Sequence, residues 1–177
     1  MLDPADEYDR IMEPVMGGDI QALEKLSNSE SSFPDGQDRW LGRHWLTNAI
    51  DCGTAIVVRW MLEKGASPIY LDDEGYTALH SAIEREGADK YAMMAALIEF
   101  GADVNAIGLN FWTPAHMAAV RNDVEALRIL YRAGADFSLR AGDRDETPLE
   151  ESRRMGAAPD VIAYLGKISQ SDENRPT

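Results

Sequence analysis

The chain has 177 residues, 45% hydrophobic and 27% charged, an ordinary globular composition that excludes wholesale disorder and allows one domain with a real core. Its 31 Asp and Glu against 17 Lys and Arg leave a net charge of −14, which disfavours nucleic-acid backbones and anionic membranes and favours basic protein partners. The single cysteine, Cys52, excludes an intrachain disulfide, so a reducing cytoplasm is the expected location.

In chain order, residues 1–7 are acidic and carry no apolar segment, which excludes a secretory signal on this reading. Residues 8–38 form a degenerate first unit that keeps Gly18-Asp19, Leu23 and Leu26. Within it, residues 27–38, with Ser31, Ser32, Pro34 and Gly36, are expected to be a flexible polar loop. Residues 39–68 space Leu46, Ala49, Ile50, Val57, Val58, Met61 and Leu62 as two short helices and end at Gly65. Residues 69–103 run from Thr77-Ala78-Leu79-His80 to Gly101-Ala102-Asp103. Three extra residues near Glu86 and Asp89 predict a longer helix or loop there. Their longest apolar stretch, residues 92–98, is too short to cross a bilayer. Residues 104–136 hold Thr113-Pro114-Ala115-His116 and Gly134-Ala135-Asp136, and residues 137–168 open with Thr147-Pro148-Leu149-Glu150. Residues 171–177 read as a polar tail, leaving 1–170 as a single domain.

The Thr blocks lie 36 and 34 residues apart and the Gly blocks 36 and 33, so two independent markers agree on one period. Each Thr can cap a helix start, and Pro114 and Pro148 stand at the first helical position, where a missing N–H costs nothing. Each Gly follows a second helix, where a left-handed residue closes it. Thr113-Pro114-Ala115-His116-Met117-Ala118-Ala119 followed by Gly134-Ala135-Asp136 resembles the ankyrin-repeat family. The resemblance implies an all-α solenoid of about five helix-turn-helix repeats, with degenerate polar capping repeats at both ends. Within the second unit, His44-Trp45-Leu46-Thr47 departs from that pattern.

His80 and His116 occupy the family's motif position, which implies a structural bond back to the preceding Thr. Asp143-Arg144-Asp145 lacks the Gly and Glu of a calcium loop, and no zinc, phosphate-loop or catalytic pattern is present, so neither metal nor cofactor nor enzyme is expected. Cys52 reads as a small core or groove residue. The architecture implied by the resemblance has fingers between its helix pairs, and there the sequence places Trp40, Tyr76, Phe111 and Trp112, with Tyr70 lower on one finger. Acidic runs flank them: Asp72, Asp73 and Glu74 on one finger, Asp143, Asp145 and Glu146 on another. Trp45, Asn48, Ser81, Arg85, Met117 and Arg121 on the inner helices are expected to complete a groove floor. Aromatic residues of this kind are enriched in binding hot spots. The expectation is therefore a cytoplasmic monomer that binds a basic protein and neither nucleic acid nor membrane. The chain resembles small standalone ankyrin proteins of the bacterial immunity type, which implies an inhibitor that sequesters a basic toxin or enzyme. A regulatory or scaffold ankyrin protein is the alternative.

Overall fold

A computed structural model describes residues 3–30, 32–73 and 75–173. Ten α-helices lie among them: α1 (Pro4–Gly17), α2 (Ile20–Ser27), α3 (Trp45–Cys52), α4 (Ala55–Glu63), α5 (Ala78–Glu84), α6 (Asp89–Glu99), α7 (Pro114–Val120), α8 (Val124–Arg132), α9 (Pro148–Met155) and α10 (Pro159–Glu173). They pair in sequence as five helical hairpins. The inner helices α1, α3, α5, α7 and α9 stack in a row, and the outer helices α4, α6, α8 and α10 stack behind them. No strand is present among the described residues beyond two isolated bridges. The last helix, α10, runs on to Glu173.

The repeated markers do the work their chemistry predicts. Thr77, Thr113 and Thr147 accept the backbone N–H of the third residue of α5, α7 and α9. At the far end of each of three hairpins a glycine takes positive φ, at Gly65, Gly101 and Gly134. The following alanine then donates its N–H five residues back, to Met61, Leu97 and Leu130 respectively, closing the last helical turn. Between the helix rows lies an aliphatic core that includes Leu23, Ile50, Met61, Leu79, Met93 and Leu127, all sealed from solvent. In the longer third unit, α6 has eleven residues where α4 and α8 have nine. It delivers Lys90 and Tyr91 to Asp123, the N-cap of α8, with Lys90 Nζ 2.5 Å from one carboxylate oxygen and the Tyr91 hydroxyl donating to the other.

The described residues of 27–38 are not a free loop, a correction to the sequence reading. Phe33 is buried, edge-on to Trp45 at 5.7 Å and stacked with Trp60 at 5.9 Å, so an aromatic anchor pins the segment to α3 and α4. Asp38, also buried, accepts N–H bonds from Trp40, Leu41 and Arg43 and from the Asn48 amide.

Between hairpins the chain extends into fingers, closed by backbone N–H bonds from Asp38 to Arg43, from Asp72 to Tyr76 and from Gly108 to Trp112, and by a reciprocal pair between Ala141 and Glu146. The tips are therefore residues 39–42, Asp73 and Gly75, residues 109–111 and residues 142–145. Adjacent fingers touch, since a Cβ on Gly75 would lie 3.6 Å from the Leu109 Cα, and the Gly142 N–H donates to the Phe111 carbonyl.

Candidate protein-binding surface

Each finger is tied to the inner helix of the preceding unit. His80 Nε2 lies 3.0 Å from the Trp112 carbonyl, and its Nδ1 lies 2.7 Å from the Thr77 hydroxyl. A carbonyl only accepts, so Nε2 carries the proton and Thr77 donates to Nδ1. His116 repeats this arrangement between Thr113 and the Glu146 carbonyl. Burial disfavours the imidazolium at both sites, lowering His116 and holding His80 down at about 4. Both are neutral structural links, as the sequence implied.

The aromatic residues separate into three groups. Trp40 (53% exposed) and Phe111 (67% exposed) stand at finger tips, although Trp40 also meets Tyr8 edge-on at 5.1 Å. Tyr76 and Trp112 close the bases of their fingers and are half-buried rather than at the tips. Tyr70 turns inward, stacking on His44 at 4.1 Å and hydrogen-bonding Thr47 at 2.7 Å; burial pushes its phenol well up from the usual value. Trp45, Asn48 and Met117 are corrections, all three being buried rather than on a groove floor. Trp45, at 1% exposure, belongs to the core between Tyr8 and Phe33, because the aromatic segments on either side close over it. Of the two readings of Cys52, core or groove, its exposure at the end of α3 removes the first.

The two acidic runs also differ. Asp72 accepts the Tyr76 N–H at 2.7 Å, so its carboxylate shapes the finger, while Asp73 is exposed. Glu74 lies outside the described residues. On the fourth finger Glu146 is held by Arg154 at 2.7 Å and Asp145 by Arg140 at 3.4 Å. Asp143 is exposed, with no ion pair among the described residues. The second run is thus largely neutralised from within.

Arg85 and Arg121 share one task. Arg85 donates to the Ile50, Asp51 and Gly53 carbonyls at the end of α3, and Arg121 to the Glu84 carbonyl and carboxylate at the end of α5. A cation there complements the negative pole of each helix. Beside Arg85 a cleft of about 530 Å³ is lined by Arg43, Asp51, Asp72, Tyr76, Glu84 and Glu86, among others. Of its lining the sequence reading singled out Asp72, Tyr76, Ser81 and Arg85. Asp51 and Glu84 were legible, since they stand seven residues after His44 and Thr77, at matched places in successive inner helices.

Phe111 stands apart. Both Asn110 (φ 56°) and Phe111 (φ 58°) are in the left-handed region, and Phe111 occupies the place, two residues before Thr113, that Gly75 occupies before Thr77. A bulky residue there is a backbone outlier.

A family model of ankyrin repeats (3 copies) matches residues 11–108, and a second, of ankyrin repeats (many copies), matches residues 86–131. The chain belongs to the ankyrin-repeat family. Among curated proteins this ankyrin-repeat chain is similar to RelA-associated inhibitor of Mus musculus, with 34% identity over 128 residues, 71% of this chain and 15% of that protein. BCL-6 corepressor-like protein 1 of Homo sapiens is 34% identical over 99 residues, 55% of this chain and 5% of that one. Ankyrin repeat and SOCS box protein 6 of Mus musculus is 24% identical over 177 residues, 97% of this chain and 38% of that one. The chain therefore spans well under half the length of these relatives. Ankyrin repeats are protein-interaction modules and typically non-catalytic. Among the described residues no helix is long and apolar enough to cross a membrane, and no cluster of His, Cys, Asp or Glu is placed to hold a metal ion.

Proposed function

We propose that this chain is a non-catalytic module that captures a basic protein, with its finger tips and the cleft beside Arg85 as the binding face. The observation that carries this is Phe111. It is largely exposed, so core packing does not account for it, and its left-handed backbone costs on the order of 1 kcal/mol that glycine would avoid. A residue that gives the folded chain neither burial nor easy geometry is explained by a contact outside the chain. The net charge of −14 supplies the sign of the partner.

Trp40, Tyr76, Trp112, Asp73 and Asp143 border the same face, and Asp72, Asp145 and Glu146 hold its fingers in shape. The finer reading is an inhibitory, immunity-type protein, monomeric until it sequesters a basic toxin or enzyme whose own substrate is anionic. One relative is named an inhibitor, which supports it. The small share of each relative's length supports a second reading, a regulatory or scaffold unit serving larger partners.

The test compares the chain and its Phe111→Gly variant as baits in native extracts. The variant is expected to be at least as stable, by relief of the left-handed Phe, and to lose about tenfold or more in affinity for the captured partner. Association should also slow with salt as the Debye length falls from about 10 Å at 0.1 M to about 3 Å at 1 M. A partner that is acidic, or that both baits hold equally, overturns this reading.

A further inference from the structure

The fingers have a second face. Tyr70 points at His44 and Thr47 on the inner-helix side. Its neighbours Ile69 and Leu71 are 71% and 60% exposed, as alternation along an extended segment requires when one residue faces in. On the adjacent finger Ile107, 58% exposed, holds the register place of Leu71, because each immediately precedes the residue whose N–H closes the finger. The apolar strip ends on both sides: Gln37 and Arg140 fill the same place on the outer two fingers. Asp35, Asp103 and Asp136 border the same segments: Asp35 bonds Ser67, two residues before Ile69, Asp136 bonds Asn105, two residues before Ile107, and Asp103 stands four residues before Ile107. Each carboxylate accepts backbone N–H bonds, from Ser67, Asn105 and Ser138 respectively, and none pairs with a Lys or Arg among the described residues. By contrast, Arg43, Arg85 and Arg121 on the inner side are held by Asp51, by helix-end carbonyls and by Glu84.

We propose that this outer flank, centred on Ile69, Leu71 and Ile107, is a docking strip for a segment that combines aliphatic or aromatic anchors with Lys or Arg. Branched aliphatic side chains left in water on two adjacent fingers supply the apolar contact. The uncompensated carboxylates around them select a cationic rim rather than a neutral or acidic one. Asp72 lines the cleft beside Arg85 and Leu71 alternates with it, which sets the strip on the other side of the finger from the cleft. The inference rests on the reading of the chain as a protein-binding module and adds a second address to it.

A phage-displayed library of random dodecapeptides, selected on the full chain at 0.15 M salt, tests it. The expected winners carry Lys or Arg together with Leu, Ile, Phe or Trp. They should bind the Ile69→Ser, Leu71→Ser, Ile107→Ser triple variant about tenfold or more weakly and the Phe111→Gly variant normally. The single change Leu71→Arg, which sets like charge against a basic peptide, should give the same loss with less disturbance. If basic winners bind the triple variant and Leu71→Arg as well as they bind the unaltered chain, the strip is overturned. Their loss on Phe111→Gly would then leave the finger-tip reading standing. Winners with no basic excess overturn both readings together.

Discussion

The second repeat and the two that follow solve one problem with different chemistry. In the third and fourth repeats an imidazole spans from a Thr cap to the carbonyl of the next finger, His80 to Trp112 and His116 to Glu146. In the second the two residue types are exchanged: His44 stands at the cap position with no side-chain cap bond, and Thr47 stands where the imidazole would be. The link to the next finger is still made, by His44 stacking on Tyr70 and by the Thr47–Tyr70 hydrogen bond. Aromatic packing there replaces a buried polar bridge, and Trp45 between Tyr8 and Phe33 extends it. What the architecture fixes is the tether between helix and finger, and the atoms that make it are free to vary.

The largest expected effect comes from breaking the aromatic side. Trp45→Ala should cost about 3–5 kcal/mol in urea unfolding, the range for emptying a core aromatic site, and a value near 1 would show that the second repeat is not held this way. On the polar side, the imidazole bridge should appear as a pH dependence. His80 is held at about 4 in the folded chain against an ordinary 6.5, so below 6.5 the unfolded chain takes up a proton that the folded chain refuses. Stability is then fully present above pH 6.5 and lost as pH falls toward 4, by about 3 kcal/mol in all for this group. Unfolding curves between pH 7 and 5 should show that slope, and His80→Gln, itself less stable, should flatten it. Smallest is Tyr70→Phe, which removes one hydroxyl and leaves the ring on His44. A loss of about 1 kcal/mol, with no change in pH dependence, is expected from unfolding curves.

The repeat was legible because its signals are local. A Thr cap, an imidazole three residues on and a closing glycine act within one or two turns, so their spacing carries their meaning. Trp45 was misread because its partners Tyr8 and Phe33 come from a degenerate unit that shares no marker with the others. Asp145 and Glu146 look free in sequence, since nothing there reveals that Arg140 and Arg154 reach them. Phe111 was legible as an aromatic finger residue, but not as a left-handed one: Leu109-Asn110-Phe111 contains no glycine, and only its register with Gly75 betrays the turn. Ile69 and Leu71 were visible as apolar residues. Their exposure follows from which way Tyr70 points, and one sequence does not say that.

The arginines at the ends of the inner helices give the solenoid a direction. Arg85 completes the end of α3 and Arg121 the end of α5, so each repeat finishes the one made before it. On the ribosome, a newly emerged inner helix keeps its last carbonyls open until the following repeat has been synthesised and folds back onto it. The second repeat is thus complete only once the third is in place, and the third only with the fourth, an order that matches the order of synthesis.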